Sequence, residues 1–271
     1  MGGRERIGWS ALAGCLLLPG CTADPAPVPP NATSPDPTGS LTRPDKGPNL
    51  DWNGVTVAVD PGHQLGNSRF PGQTGQQRPA GGFTTACNST GTATDAGFPE
   101  ATFSFRVAQR LRRLLERRGA RVIMTRTANR VDLWGPCIDE RGRAGNAVGA
   151  DVKISIHGDG SYTDGRGFHV IAPTDRPPWT DDIYRSSTLL ARDVKRGLIR
   201  TGFAPADYVA GGDGLDFRSD LGTLNLSDIP TVVVESGNMR NAAEAQVMSS
   251  RNGQYRYALS LLRGIHGFLS R

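Results

Sequence analysis

This chain of 271 residues is poor in several features, and each scarcity argues against a class of protein. Aromatic residues make up 7% of it and no lysine and arginine cluster is interleaved with them, so nucleic-acid binding is disfavoured. The net charge of +5 is a mild surplus that fits a soluble surface. Beyond the N-terminal region, no apolar run reaches the length of a membrane-spanning helix. The four cysteines show no Cys-x-x-Cys spacing, which disfavours a thiolate metal site.

The N-terminal part is typical of an export signal followed by a tether. Two arginines precede an apolar stretch that is too short to span a bilayer, which predicts a signal peptide over residues 1–21. The tetrapeptide ending at Cys21, Leu-Pro-Gly-Cys, resembles a bacterial lipoprotein box. Two outcomes stay open: a lipid anchor on Cys21 at the outer face of the cytoplasmic membrane, or cleavage near Ala23 and release. Residues 22–50 contain eight prolines and predict a disordered tether, so we expect an exported protein of the periplasm, cell wall or medium.

Two cysteines remain for the folded part. Cys15 and Cys21 lie in the signal or at its edge, which leaves Cys87 and Cys137. Because exported proteins meet an oxidising environment, a disulfide between these two is the favoured interpretation. Two buried thiols, or a bond from Cys21 to one of them, are the alternatives.

Strand and helix patterns alternate from residue 54 onward and predict one domain over residues 51–271. The alternation favours an α/β fold with a mostly parallel, twisted sheet flanked by helices. The apolar patterns predict strands at 55–59, 121–125, 152–156, 167–172 and 231–234, and helices at 100–118, 138–147, 182–199, 242–248 and 255–269.

Four residues stand where these elements begin or end. His63 follows the first strand, Glu100 opens the first long helix, and His157 and Glu235 end strand-like runs. Ligands of such sheets bind beyond the carboxyl ends of the strands, so the four residues are expected to converge. Two imidazoles and a carboxylate are a standard ligand set for one catalytic Zn²⁺, and a further carboxylate can accept the proton of an activated water. The pattern predicts a zinc hydrolase with its site at the C-terminal edge of the strands.

Residues 64–99 form a long insertion, rich in glycine, glutamine and threonine, between the first two of these residues. A stretch of this length without structure is usually functional or disordered. Two interpretations are open: a flap beside the zinc cleft, anchored by Cys87, or a tolerated surface loop.

Five segments carry a family resemblance. They are Val-Asp-Pro-Gly-His (59–63), the helix opening at Glu100, Arg-Gly-Arg-Ala-Gly-Asn (141–146), Ala-Asp-Val-Lys-Ile-Ser-Ile-His (150–157) and Pro-Thr-Val-Val-Val-Glu-Ser-Gly-Asn (230–238). Their ordered set resembles the zinc-dependent N-acetylmuramoyl-L-alanine amidases of the amidase-3 family, in their compact mycobacterial and actinobacterial form. Such enzymes cut the amide between N-acetylmuramic acid and the L-alanine of the stem peptide. The resemblance implies zinc ligands at His63, Glu100 and His157, a general base at Glu235, and peptidoglycan or muropeptides as partners.

Four further residues are weaker candidates. Asp60 has two interpretations: a hydrogen-bond acceptor that orients His63, or a turn residue before Pro61. Arg141 and Asn146 match the family pattern, with a role near the site or in packing and capping. Arg218, in a glycine-rich loop at 211–222, is available to a carboxylate of the stem peptide.

Alternative functions stay open at this point. A zinc peptidase that cuts within the stem peptide would use the same ligands. A non-catalytic wall-binding protein would need none of the four residues, so their joint presence argues against it. A monomer is the default expectation.

Overall fold

The computed structural model describes residues 51–162 and 164–271. The expected signal at 1–21, the tether at 22–50 and Cys21 lie outside the described residues. Among the helices of the described ranges, none has both the length and the apolar character needed to cross a membrane.

A six-stranded sheet in the order β4-β1-β5-β8-β6-β7 forms the centre of the domain. Its strands β1, β4, β5 and β8 run parallel, whereas β6 is antiparallel to β8 and parallel to β7. Two further strands, β2 and β3, form an antiparallel hairpin. The bounds are β1 Thr56–Pro61, β2 Gln77–Pro79, β3 Thr84–Ala86, β4 Arg121–Met124, β5 Val152–Asp159, β6 His169–Pro173, β7 Leu215–Arg218 and β8 Thr231–Asn238.

The part of the chain that the structure describes contains seven α-helices. Helices α2, α4 and α7 pack on one face, and α3 and α5 on the other with the β2–β3 hairpin beside them. The bounds are α1 Pro71–Thr74, α2 Glu100–Glu116, α3 Ile138–Arg143, α4 Tyr184–Arg200, α5 Gly222–Asn225, α6 Ala242–Ser249 and α7 Arg251–Leu269. This confirms the expected single α/β domain with a mostly parallel sheet.

Strand alternation makes the two faces of the sheet chemically different. In β5, Val152, Ile154 and Ile156 enter the large apolar core beneath α2, α4 and α7. The intervening residues, Lys153 and Ser155, face α3 and are fully buried. Strand β5, which leads to His157, therefore packs on an apolar core on one face of the sheet and on a buried polar layer on the other.

Helix α2 has the start, the apolar face and the end that its sequence pattern predicts. Pro99 precedes it with extended backbone angles, and its apolar stripe is buried against the sheet. The stripe consists of Phe103, Val107, Leu111, Leu114 and Leu115. Gly119, with φ of +102°, ends the turn that follows.

Several predicted boundaries were wrong. Helix α3 stops at Arg143 because Gly145 adopts φ of +94°, and a separate 3₁₀ turn follows at Asn146–Val148. Helix α7 begins at Arg251, where the Ser250 side chain accepts a hydrogen bond from the Gly253 amide. Strands β5 and β8 run past His157 and Glu235, and the 211–222 loop contains strand β7.

Candidate active site

Three of the predicted residues meet at one point beyond β1. His63 Nε2 lies 3.1 Å and His157 Nδ1 2.9 Å from the same oxygen, Oε1 of Glu100. One ligand atom from each residue lies within 4.8 Å of the others. Their side chains keep 11%, 4% and 13% of their surface exposed for His63, Glu100 and His157. The cluster is thus mostly buried but remains partly accessible to solvent.

Glu100 is stabilised as a carboxylate. Burial alone would raise its pKa, but the charge of His63 and hydrogen bonds from His157 and His63 outweigh burial and hold the pKa of Glu100 well below its usual range. The backbone amide of Thr92 donates to Oε2 at 2.8 Å, and that of Gly158 to Oε1 at 3.2 Å. An ionised carboxylate facing two imidazoles is suited to a cation.

His63 occupies a backbone conformation that few side chains adopt. Its φ is +57°, in the left-handed region that a histidine seldom enters. The ring is backed by Ser89, whose carbonyl oxygen lies 3.0 Å from Nδ1. Gly91 passes so close that an added Cβ would lie 2.7 Å from both His63 Cδ2 and Glu100 Oε2. Strain and close packing at this point are typical of a functional site.

His157 is oriented by a buried ion pair. Arg141 Nη2 lies 2.9 Å from His157 Nε2, which keeps the other edge of the ring, with Nδ1, facing Glu100. The guanidinium also donates two 2.9 Å bonds to Asp60. Burial lowers the pKa of His157, so its imidazole is neutral at neutral pH, with Nε2 accepting from Arg141.

Glu235 lines the same cleft from β8. The parallel register places it beside His157, and the antiparallel register places it opposite His169. Burial and then the negative charges of Glu100 and Asp159 raise the pKa of Glu235 well above its usual range, against the lowering effect of Arg218. Its buried Oε2 finds no hydrogen-bond partner within 51–162 and 164–271. This arrangement gives a carboxylate with raised affinity for a proton.

The donor set fits a zinc ion. Two imidazole nitrogens and one carboxylate oxygen from His63, His157 and Glu100 converge, and this set matches catalytic zinc centres with three protein ligands. The outer nitrogen of His63 contacts a carbonyl oxygen, the usual partner of a ligating imidazole. The partnerless oxygen of Glu235 in the same cleft is the kind of group that a bound water satisfies.

The cluster stands at the junction of two lobes of a cleft. The larger lobe, of about 840 Å³, is lined by Thr90, Asp159, Tyr162 and Arg240 among others. The smaller lobe, of about 290 Å³, is lined by residues that include Ile138, Leu221 and Arg218. Since His63, His157 and Glu235 line both lobes, an extended substrate can cross the reacting centre.

The weaker candidates Asp60 and Asn146 form hydrogen bonds outside the three-residue cluster. Asp60 lies inside β1, and its hydrogen bonds run to Arg141, Ser155 and Thr125, so it acts on His157 through Arg141 and occupies no turn. Asn146 bonds to the Leu226 carbonyl and to Asp228, which ties its turn to the segment before β8.

Arg218 lines the smaller lobe while it donates two bonds, of 2.8 and 2.7 Å, to Asp220. Its cation is thus already paired, although 40% of the Arg218 side-chain surface remains exposed.

The insertion at 64–99 contributes directly to the centre. It contains the β2–β3 hairpin, and its end supplies the Ser89 carbonyl and the Thr92 amide that contact His63 and Glu100. Cys87 and Cys137 form a disulfide, as the sequence led us to expect. The interpretation as a tolerated surface loop is therefore wrong for its end, whereas movement as a flap stays a prediction.

The sequence did not reveal the groups that support His63 and Glu100 from the insertion. The Ser89 carbonyl, the Thr92 amide and buried Asn67 lie within the insertion, where no periodic pattern marks them. Tyr162 and Arg240, which line the larger lobe, also escaped notice. Gly91 in the insertion was the one available signal, since a close approach of backbone often requires glycine.

Comparison with known proteins gives consistent matches. The amidase-3 family profile, described as N-acetylmuramoyl-L-alanine amidase, matches residues 57–267. The N-acetylmuramoyl-L-alanine amidase Rv3717 of Mycobacterium tuberculosis is 39% identical over 218 residues, which are 80% of this chain and 87% of the relative.

Solved structures agree with this match. The N-acetylmuramyl-L-alanine amidase Ami1 from Mycobacterium smegmatis has a TM-score of 0.75 at 38% identity, covering 82% of this chain and 99% of its own. The amidase AmiC2 of Nostoc punctiforme has a TM-score of 0.58 at 21% identity, over 80% of this chain and 98% of its own, which shows a shared fold.

Proposed function

This chain belongs to the amidase-3 family of N-acetylmuramoyl-L-alanine amidases, and on that premise we propose that it is a zinc-dependent enzyme with Glu235 as its general base. It would hydrolyse the amide between the lactyl group of N-acetylmuramic acid and L-alanine, in peptidoglycan or its fragments. The observation that carries the proposal is the convergence of His63, Glu100 and His157 on one point, in the cleft that the partnerless Oε2 of Glu235 also lines.

His63, Glu100 and His157 would hold one zinc ion. When bound there, zinc supplies Lewis-acid polarisation of the scissile carbonyl and lowers the pKa of water. The protein's part is to keep the three donors fixed: the Ser89 carbonyl contacts His63, backbone amides hold Glu100, and Arg141 holds His157.

Glu235 would move the proton. It accepts a proton from water as the oxygen attacks the lactyl carbonyl carbon, and later donates that proton to the nitrogen of L-alanine as the C–N bond breaks. The products are a lactyl carboxylic acid and a free peptide amine. The raised pKa of Glu235 supports this role because a more basic carboxylate takes a proton more readily.

The two lobes suggest how substrate lies. We place the stem peptide in the smaller lobe, where the partly exposed Arg218 side chain can meet a peptide carboxylate. The muramyl sugar then lies in the larger lobe, which is lined mainly by polar side chains and by Tyr162. Tyrosine presents an apolar ring face and a hydroxyl, both of which suit a saccharide.

Export is part of the proposal. The basic and apolar start of the sequence and its proline-rich continuation support secretion, with or without a lipid on Cys21, to the compartment that holds peptidoglycan. Action as a monomer is proposed as well.

Metal dependence is tested by removing and restoring the ion. The chain is treated with a chelator, dialysed, and assayed for release of free amine from a muropeptide before and after addition of one equivalent of zinc. We expect loss of activity and its recovery, no recovery for His63→Ala, and normal recovery for the control His266→Ala on helix α7. Full activity of the chelated chain would rule out the zinc mechanism.

A further inference from the structure

A bracket of hydrogen bonds connects the His63 ligand to the disulfide. We define it as Asn67, the segment Cys87–Asn88–Ser89 and the segment Pro136–Cys137–Ile138. We propose that this bracket is a positioning device for the zinc ligand His63, and that Asn67 and the Cys87–Cys137 disulfide therefore set the affinity of the chain for zinc. The inference rests on the metal site of the proposed function.

The first step is the Ser89 carbonyl. It lies 3.0 Å from His63 Nδ1, and a carbonyl can only accept a hydrogen bond, so this contact places the proton of the ring on Nδ1. When the ring is neutral, the lone pair is then on Nε2, the nitrogen that would face a bound ion instead of donating to Glu100. Displacing this carbonyl would remove the preference for the nitrogen that faces the ion.

The second step is Asn67, which holds the same carbonyl. Asn67 is 1% exposed, and its Nδ2 donates to the Ser89 carbonyl oxygen at 2.6 Å. Its Oδ1 accepts from the Gly135 amide at 3.0 Å. One buried amide therefore ties the oxygen behind His63 to the segment that leads to Cys137.

The third step is the clamp on the chain that carries Ser89. The Ile138 amide donates to the Cys87 carbonyl at 2.7 Å, and Asn88 Nδ2 donates to the Pro136 carbonyl at 2.8 Å. The disulfide joins the same two segments covalently, two residues before Ser89. Without it, Ser89 depends on hydrogen bonds alone, at a position exposed to water.

The need for such a bracket follows from the backbone of His63. A histidine at φ of +57° persists only where its surroundings fix it. The bracket fixes these surroundings. Its loss is therefore expected to weaken zinc binding strongly while the rest of the fold changes little.

The test compares zinc affinity in matched variants of the full chain. Asn67→Asp keeps the acceptor for Gly135 and removes the amide donor to Ser89. The control, Asn225→Asp, makes the same change at a residue that is 2% exposed and whose Nδ2 donates to the Ala80 and Ser219 carbonyls. A third variant replaces both Cys87 and Cys137 by alanine. Dissociation constants are measured by competition with a chromogenic chelator, and the visible spectrum of the cobalt form reports ligand geometry.

We expect Asn67→Asp and the double cysteine variant each to bind zinc about 10–100-fold more weakly, with an altered cobalt spectrum, while Asn225→Asp matches the wild type. Wild-type affinity in folded Asn67→Asp would overturn the inference, as would an equal loss in Asn225→Asp. If the cysteine variant does not fold, Asn67→Asp decides. Absence of stoichiometric zinc binding by the wild type would instead contradict the proposed function.

Discussion

At the scale of single residues, the charges around Glu235 determine its chemistry. Burial raises the pKa of Glu235 most, and the negative charges of Glu100 and Asp159 raise it further. The positive charge of Arg218 lowers it. Arg218 is itself hydrogen-bonded to Asp220. In the proposed mechanism the same cation would serve two purposes: it would contact the stem peptide, and it would keep the pKa of Glu235 from rising further.

Arg218→Gln should shift the pH dependence of the reaction. Removing the cation that lowers the pKa of Glu235 raises that pKa further, so the acid limb of kcat moves to higher pH. Loss of a peptide contact would raise KM at the same time. Arg130→Gln is the control, because Arg130 forms a similar exposed pair with Asp132. The measurement is a pH–rate profile, and an unmoved acid limb in Arg218→Gln would contradict the assignment of Glu235 as the base.

The sequence was sufficient to identify the residues that we propose carry the chemistry, but not the residues that hold them in place. His63, Glu100, His157 and Glu235 stand next to strand or helix signals, which fixes their edge of the sheet. Asn67 and Ser89 act through contacts 22 residues apart that only the folded chain creates. The role of Asp60 was missed because its partner Arg141 lies 81 positions away.

At the scale of secondary-structure elements, helix α3 is fastened to the sheet by buried charges. Arg141 from this helix pairs with Asp60 of β1, at 4% and 0% side-chain exposure. Lys153 of β5 donates to the Arg141 and Gly142 carbonyls at the C-terminal end of α3, and burial lowers its pKa to about 7. Two strands thus hold the helix that orients His157.

Arg141→Gln should destabilise the fold by about 3–5 kcal/mol, because it leaves Asp60 buried and unpaired. Arg143→Gln, which removes a half-exposed guanidinium lying 3.9 Å from Asp139, should cost less than about 1 kcal/mol. Urea denaturation measures both.

The difference in unfolding free energy between the wild type and Arg141→Gln should depend on pH. Burial raises the pKa of Asp60, but Arg141 and three hydrogen bonds bring it far below the ordinary value. The pair therefore stabilises the fold above the unfolded pKa of about 3.9, and this stability is lost as pH falls below that value. The gap between wild type and Arg141→Gln should narrow below about pH 4, and a gap that widens there would contradict the account.

The turn after β1 leaves no room for a side chain at Gly62. A Cβ on Gly62 would lie 2.4 Å from Cε1 of His157, so Gly62→Ala must displace that ring. We expect kcat/KM to fall by about 100-fold, the usual cost of a misplaced catalytic group. Gly72→Ala, at a glycine with open space around it, is the control and should be neutral. Equal activity of the two variants would show that His157 needs no fixed position.

Elements with strong periodicity were predicted well, and short ones were not. The apolar stripe of α2 and the strand runs of β1, β5 and β8 gave their type and position. Strands β2, β3 and β7 are each only three or four residues long and owe their structure to neighbouring segments. The early end of α3 depends on the left-handed Gly145, which a pattern of apolar residues does not reveal.

At the scale of the whole molecule, the site joins distant parts of the chain. Its proposed ligands come from the turn after β1, the start of α2 and strand β5, and the disulfide spans 50 positions. An ion bound at such a point favours the folded state over the unfolded one by mass action.

Zinc should therefore raise the melting temperature. At a free concentration 100 times the dissociation constant the gain is about 2.7 kcal/mol, or roughly 5–10 °C for a domain of this size. Differential scanning calorimetry with and without zinc measures it. His63→Ala should show no such gain, and an equal gain in that variant would place the ion elsewhere.

The central claim is that Glu235 and the three proposed ligands direct water to the lactyl–alanine amide. Mass spectrometry of a muropeptide digested in H₂¹⁸O tests it most directly. We predict one ¹⁸O in the lactyl carboxyl group, an unlabelled intact stem peptide, and product formation reduced about 10²–10⁴-fold in Glu235→Gln with zinc still bound. Label in a new peptide carboxyl group, with the sugar still attached to a shortened stem, or near-normal turnover by Glu235→Gln, would contradict the account.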